Sequence, residues 1–310
     1  MMEKVSVIIC TFNRPDDLRE ALESIYHQTS PPIEVLVVDD STTDQSRKII
    51  LDEAQRFANK SISLRHIRNY KDRGTTVARN IGAFSSKGSI IQFIDDDVIL
   101  DKDYLKVILD LYRDHPNAMG AHAFIHPTVH MSRWKRFTNS IDRMFFLQCR
   151  HNDCGGVTRS FNPVVPAYLN GTIKCQWLNG CNLSCRREVF EHIRFDENLK
   201  RYAYGEDLDF SYRLWRIFPG SLYMTPDAHL VHKMSGVSRL PPKELSILWL
   251  VNHEYLFRKN FEQTIMNRAI FHWSEFGKIL TDCLQGIKKR SMTSAVWELS
   301  FAVKALGRKG

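Results

Sequence analysis

Ser89-Ile90-Ile91-Gln92-Phe93-Ile94-Asp95-Asp96-Asp97-Val98 is an apolar run that ends in three adjacent carboxylates, and its reading decides the fold of the chain. Residues 89–94 form a short, apolar and partly β-branched segment, which predicts a strand. Adjacent carboxylates repel one another, and burying them without compensation costs roughly several kcal/mol. The triplet is therefore either solvated or neutralised by a cation. Hard divalent ions such as Mg²⁺ and Mn²⁺ take oxygen ligands and often share them with phosphates. A metal–diphosphate site at the end of this strand is the first expectation.

The sequence on the N-terminal side supplies the rest of a sheet. Residues 5–10, Val-Ser-Val-Ile-Ile-Cys, are the continuous run expected of a strand buried on both faces. Pro15 opens a helix whose apolar stripe is Leu18, Leu22 and Ile25. Residues 34–38 and 62–67 predict the second and third strands. Ser41, Thr42 and Thr43 offer caps for a helix running to about Ala58, and residues 75–84 predict a third helix. Asp101 is placed to cap a fourth, carrying Leu105, Ile108, Leu109 and Tyr112. Strand–helix alternation at this spacing implies a parallel sheet with right-handed crossovers. Ligands of such sheets bind outside the carboxyl ends of the strands. The polar clusters at 11–14, 39–43 and 95–97 all fall at such ends.

The pattern weakens from about 121 to 176, which reads as an insertion or loop-rich subdomain. It returns at Trp177-Leu178-Asn179-Gly180-Cys181-Asn182, with helices expected from about Arg187 and from near Glu206 to Phe218. Pro241-Pro242 marks the last boundary. Residues 241–310 read as helical and basic, with eleven Lys or Arg against six acids and with Trp249, Phe257, Phe271, Trp273 and Trp297 interleaved.

A chain of 310 residues with 43% hydrophobic and 25% charged residues has the composition of a soluble globular protein with room for one large domain or two smaller ones. Its net charge of +8 suits anionic partners. Nucleic acid is not expected among them, because the acidic clusters oppose it. Seven scattered cysteines do not read as a disulfide framework and favour a reducing compartment. The first apolar run is too short for a signal peptide, and no stretch approaches the ~20 apolar residues of a spanning helix. The expected location is cytoplasmic, with peripheral attachment to the cytoplasmic membrane face as a variant.

The first glycine is Gly74, so neither a dinucleotide fingerprint nor a P-loop follows the first strand. That absence also counts against a sugar-phosphate nucleotidyltransferase, which needs a Gly-rich loop there. The loop that does follow, Thr11-Phe12-Asn13-Arg14, offers hydroxyl, aromatic, amide and guanidinium groups, suited either to gripping a nucleotide or to capping a helix.

Four ordered pieces now join: Val5 to Arg14, Val37-Val38-Asp39-Asp40-Ser41-Thr42-Thr43-Asp44, Ala78-Arg79-Asn80-Ile81-Gly82, and the Asp95–Asp97 triplet. Asn179-Gly180-Cys181-Asn182-Leu183-Ser184 with Arg187 and Phe190, Phe195-Asp196-Glu197, and Gly205-Glu206-Asp207-Leu208-Asp209 follow. Together, over about residues 4–235, they resemble the family 2 glycosyltransferases, inverting enzymes with the GT-A fold. The resemblance implies an α/β, Rossmann-like, mostly parallel sheet flanked by helices, over residues 1–240, with a helical C-terminal annex over 241–310. Residues 1–120 would be the nucleotide-binding half and 121–240 the acceptor half.

Carried over residue by residue, the resemblance gives Thr11, Phe12, Arg14 and Asp40 to the nucleoside and Arg79 to the diphosphate. It gives Asp95 and Asp97 to a divalent metal, Mg²⁺ or Mn²⁺, and Asp96 to the ribose. Asp207 matches the general base, Glu206 would touch acceptor or donor sugar, and His232 matches a late histidine near metal or diphosphate, with His229 as the competing choice. The simpler alternative is that Glu206, Asp207 and Asp209 only complement a helix dipole. Cys181 would bear on sugar preference. The implied reaction moves a sugar from a nucleoside-diphosphate sugar to a hydroxyl of a saccharide or lipid-linked acceptor, in polysaccharide or glycolipid synthesis. A catalytically inactive nucleotide-binding scaffold is the non-enzymatic alternative, opposed by the intact acidic motifs.

His122, His126 and His130, with Cys149, His151 and Cys154, suggest zinc, but Pro127 breaks the helix that would align the histidines and no second cysteine pair completes a set. Acceptor contact or plain surface is expected instead. For the basic C-terminal segment, an ordinary packed annex is the first expectation and contact with an anionic membrane the second.

Overall fold

The computed structural model describes residues 3–125, 141–147, 155–200 and 202–289. The chain divides into two compact units, Met1–His126 with Leu169–Arg239, and Pro127–Tyr168 with Leu240–Gly310. Segment 127–168, which the sequence reading gives to an acceptor half, thus clusters with the C-terminal helices.

In the first unit, strands β1 (Val5–Thr11), β2 (Glu34–Asp39), β3 (Ser63–Arg68) and β4 (Ile90–Asp95) alternate with helices α1 (Pro15–Tyr26), α2 (Gln45–Ala58) and α3 (Thr75–Ser85). Strand β5 (Val98–Leu100), α4 (Tyr104–Asp114), β6 (Gly120–Ala123), β7 (Ile173–Cys175), β8 (Ser184–Arg186), α5 (Glu206–Ile217), β9 (Leu222–Thr225) and β10 (Leu230–His232) follow. Eight strands form one sheet in the order β3-β2-β1-β4-β8-β6-β9-β7. Strands β3, β2, β1 and β4 are parallel, β8 runs antiparallel to β4 and β6, and β9 is parallel to β6. Strands β10 and β5 pair antiparallel as a separate ribbon.

The continuous apolar runs become the central strands: Val7, Ile8, Ile9, Val35, Val37, Ile90 and Ile91 are fully buried. The α1 stripe Leu18, Leu22 and Ile25 packs into the same core. Three local expectations are corrected. Helix α2 begins at Gln45 without a side-chain cap. Ser41 and Thr42 build the preceding loop instead, where Ser41 Oγ accepts the Asn13 N–H at 2.9 Å and Asn13 Oδ1 accepts the Thr42 N–H at 2.9 Å. Asp101 takes the N–H of Asp103 at 3.1 Å, ahead of α4. The helix expected from Arg187 is a 3-10 turn, Arg187–Glu191.

The second unit contains α6 (Pro242–Asn260) and α7 (Ile265–Lys289). His253 ties α6 to the rest of this unit, with Nδ1 at 2.9 Å from Glu275 and Nε2 at 3.0 Å from the Phe161 carbonyl. Among the described residues, no helix is long and apolar enough to cross a membrane. Cys10, Cys175, Cys181 and Cys185 are free thiols.

Asp39 fixes the carboxyl ends of β2 and β3. It is fully buried and accepts hydrogen bonds from the Ser41 N–H (2.8 Å) and from Arg68 (3.0 Å), with His66 Nε2 at 3.0 Å. Burial pushes its carboxyl up, but His66, Ser41 and Arg68 outweigh that and hold it below the usual range. Such a group contributes stability present above its unfolded pKa and lost as pH falls through the folded one. Asp39→Asn is expected to cost about 2 kcal/mol at neutral pH. The difference in Tm from wild type should shrink as pH drops below about 4.

Candidate active site

Strand register assembles the site. Cys10 of β1 lies opposite Asp95 of β4, so Thr11 arrives beside Asp96, and Thr11 pairs with Asp39 on its other side. Thr11 Oγ1 donates to Asp96 at 2.8 Å, and Arg14 donates to the same carboxylate at 3.0 Å. Arg14 lies 3.6 Å from Asp97 and donates through Nε to the Val237 carbonyl at 2.7 Å. Phe12, at the loop surface, is 40% exposed and leaves a ring face open to stacking. Asp40 is tied elsewhere: it accepts from Asn69 Nδ2 at 2.6 Å and from the Gly74 N–H at 2.9 Å, closing the 69–74 loop.

His232 pairs with Val98 across the β10–β5 ribbon, which sets its ring against the triplet. One ligand atom from each of Asp95, Asp97 and His232 lies within 4.8 Å of the others. Asp97 Oδ2 accepts the Ser235 N–H at 2.9 Å. Asp97 Oδ1 is buried without a hydrogen bond, and His232 Nε2 approaches it at 3.2 Å without hydrogen-bond geometry. His229, the competing histidine, is exposed on the strand's approach.

Arg79 of α3 is buried at the centre. It donates to Glu206 at 2.8 Å, to the Gly180 carbonyl at 3.0 Å and to Asp95 at 3.4 Å. Gly205, in the left-handed region at φ 91°, starts α5 so that Glu206 and Asp207 occupy its first turn. Asp207 accepts the Gly180 N–H and the Leu208 N–H, each at 2.8 Å. Gly180 has little choice of residue, because a Cβ there would lie 3.0 Å from the Arg79 guanidinium and 3.0 Å from Asp207 Cβ. Asp209 is structural, pairing with Arg213 at 2.7 Å.

The electrostatics of the cluster follow from its composition. Burial pushes the Asp96 carboxyl up to about 7 against the pull of Arg14 and Thr11. Burial likewise pushes Glu206 up to about 8, with Arg79 opposing and Asp207 reinforcing. Asp95 is raised by burial and by Asp97 and Asp207, although its side chain keeps 36% exposure and solvent moderates the effect. Asp97 goes the other way: burial raises it, but His232, the Ser235 N–H and Arg14 prevail. His232 is raised by its approach to Asp97. The cluster gathers five carboxyls, Asp95, Asp96, Asp97, Glu206 and Asp207, around two guanidiniums, Arg14 and Arg79. Added divalent charge corrects that imbalance. The orphaned Asp97 oxygen and the oxygen–nitrogen donor set of Asp95, Asp97 and His232 fit a hard or borderline divalent ion.

Sequence reasoning missed Asn69, Ser235 and Val237. Asn69 directly follows β3, so the strand-end rule that found Asp40 could have found it. Nothing local marks residues 233–239, an irregular segment whose backbone covers Asp97. Cys181, expected near the sugar, is 4% exposed and packs in the apolar core. His122, expected at the surface or near acceptor, is buried, accepts the Asn179 N–H at 3.3 Å, and is pushed down to about 3 by burial. His126, His130, Cys149, His151 and Cys154 lie outside the described residues.

A mostly parallel α/β sheet with an acidic triplet at the end of β4 and a Glu-Asp pair opening a helix beside it defines the GT-A class. The profile described as Glycosyl transferase family 2 matches residues 6–194, and the chain belongs to that family. A glucosyl-dolichyl phosphate glucuronosyltransferase of Haloferax volcanii is 29% identical over 126 residues, 40% of this chain and 39% of that protein. A minor teichoic acid biosynthesis protein of Bacillus subtilis is 25% identical over 204 residues, 65% of this chain and 20% of that one. The chain spans about two fifths or less of the length of these curated relatives. In fold it is similar to a mannosyltransferase from Pyrobaculum calidifontis in complex with GDP-Man and Mn²⁺, with a TM-score of 0.58 at 16% identity, covering 100% of this chain and 89% of the other.

Gly180→Ala tests the packing of the site. The added methyl must displace Arg79 or Asp207 by a few tenths of an ångström. Sugar transfer is expected to fall about ten- to a hundredfold, with Tm changed by no more than about 4 °C. Unchanged transfer would mean that this contact is not limiting.

Proposed function

We propose that the chain transfers a sugar from a nucleoside-diphosphate sugar to an acceptor hydroxyl with inversion at the anomeric carbon, assisted by a divalent metal. The observation that carries this reading is the convergence of Asp95, Asp97 and His232 beside buried Arg79, with Asp207 next to it on a separate element.

Asp95, Asp97 and His232 would hold the metal, which when bound would neutralise charge on the donor diphosphate as a Lewis acid. Arg79 supplies a fixed positive charge to the same leaving group. Its guanidinium is already oriented by Glu206 and the Gly180 carbonyl, so little reorganisation is needed as negative charge develops. Thr11 and Arg14 hold Asp96 at the edge of the site, where the donor ribose would meet it. Exposed Phe12 and the Asp40-anchored loop would hold the nucleoside base.

In the transfer step, the acceptor oxygen bonds to the anomeric carbon as the bond from that carbon to the diphosphate oxygen breaks. The hydroxyl proton passes to the Asp207 carboxylate, whose two backbone donors leave a lone pair on each oxygen. Glu206 acts by orienting Arg79. Two relatives' names, one containing glucosyl-dolichyl phosphate and one naming teichoic acid biosynthesis, support a saccharide or lipid-linked acceptor.

Asp207→Asn should leave donor affinity within about twofold and lower transfer by roughly 10²–10⁴-fold. Near-normal transfer would remove Asp207 as the base. A panel of UDP-, GDP-, dTDP- and CDP-sugars, assayed for nucleotide release with Mn²⁺ or Mg²⁺ and with chelator, is expected to single out one donor whose turnover stops with chelator. Turnover that survives chelation would overturn the metal-dependent reading.

A further inference from the structure

Helix α7 exposes a contiguous arc of large apolar side chains in addition to the face it buries. At 3.6 residues per turn, Ile265, Met266, Ala269, Trp273, Phe276 and Leu280 fall within about 100° of its circumference. This arc faces outward: Ile265 is 91% exposed, Met266 65%, Phe276 56% and Trp273 45%. The inward side combines Phe271, 4% exposed, with small and polar residues: Ser274 is fully buried, Thr281 is 4% exposed and Gly277 is buried. Asn162 donates to Ser274 at 3.2 Å, and a Cβ on Gly277 would overlap the Phe145 ring. The helix is thus held to its own unit by buried Phe271, which stacks on Phe257 at 4.3 Å, and by small-residue packing and hydrogen bonds, while a second set of large apolar side chains faces solvent. The patch continues through Trp273, which donates to the Met144 carbonyl at 3.1 Å beside the exposed Met144 side chain.

Charge is distributed as unevenly as apolar surface. By sequence, the second unit holds seventeen Lys and Arg against eight Asp and Glu, whereas the first holds twenty-six against twenty-seven. The net charge of the chain therefore resides wholly in the unit that carries the apolar stripe. The second unit also has four of the six tryptophans, the side chain best suited to a water–hydrocarbon boundary.

We propose that the outward face of α7 lies on a bilayer surface rich in anionic lipid, making the second unit a membrane-docking module. An apolar arc with Trp and Phe, embedded in a basic unit, is the pattern of a helix lying in the interface plane. Lys and Arg of the unit would be drawn to the headgroups by a field that falls off within a Debye length. A second copy of the chain is disfavoured as the occupant, because pairing this face with itself would bring two strongly basic units together.

The test uses the full chain with sedimentable vesicles, one set of neutral phosphatidylcholine and one containing phosphatidylglycerol. Wild type should bind the anionic vesicles at least tenfold more tightly than the neutral ones. It should lose most of that binding when salt is raised from 0.1 to 0.5 M, roughly a twofold shorter Debye length. Ile265→Asp with Phe276→Asp should lower binding at least tenfold while circular dichroism and donor turnover in solution stay unchanged. These positions are more than half exposed, so the variant tests the surface and not the core. Donor turnover also separates this proposal from the transferase reading, since either can fail alone. Absence of vesicle binding, or binding that the double variant retains, would overturn it. So would light scattering that shows a dimer which the variant splits into monomers.

Discussion

A buried guanidinium organises the catalytic unit. Arg79 comes from a helix that packs on the central strands, and from there it meets the end of β4 through Asp95, the short 3-10 turn Gly180–Asn182 through the Gly180 carbonyl, and the start of α5 through Glu206. A charge that cannot be deprotonated must find acid partners once buried. Those partners come from segments more than a hundred residues apart in the chain, so the fold closes around one ion-pair network. Gly180 follows from the same constraint, since a Cβ there would press on the guanidinium at 3.0 Å. Arg14 plays the matching part at the edge of the site, where it meets Asp96 at 3.0 Å and Asp97 at 3.6 Å.

Much of this was legible because parallel sheets place strand ends together. Residues 11–14, 39–43 and 95–97 could be assigned to one edge from the strand pattern alone, and the register of β1 against β2 and β4 joins them. Glu206 and Asp207 were legible as the start of a helix, and His232 through its motif context. The backbone of residues 233–239 was not legible, since its bonds to Asp97 and Arg14 use peptide groups, which every residue has. The Ser-Thr segment at 41–43 misled because a hydroxyl near a helix start can cap or can build the loop before it. Here Asn13, at φ 54°, draws that segment into loop contacts.

The C-terminal part taught a different lesson. Its basic and aromatic composition was plain, but composition does not say which face of a helix points inward. Small and polar residues usually face solvent, but in α7 Gly277 and Ser274 lie inward beside Phe271, because Phe145 packs on the Gly277 backbone and Asn162 donates to Ser274. Likewise, segment 127–168 lacks the periodicity that would have linked it to α6 and α7. Its association rests on contacts such as His253 with the Phe161 carbonyl, which no local pattern announces.

The most direct measurement is a crystal structure of the chain soaked with Mn²⁺ and a nucleoside diphosphate, with anomalous data collected at the manganese edge. A single peak bonded to Asp97 and His232, with the diphosphate between it and Arg79, is the expected result. A peak away from Asp95, Asp97 and His232, or a diphosphate bound elsewhere with no metal, would contradict the assignment of this cluster as the donor site.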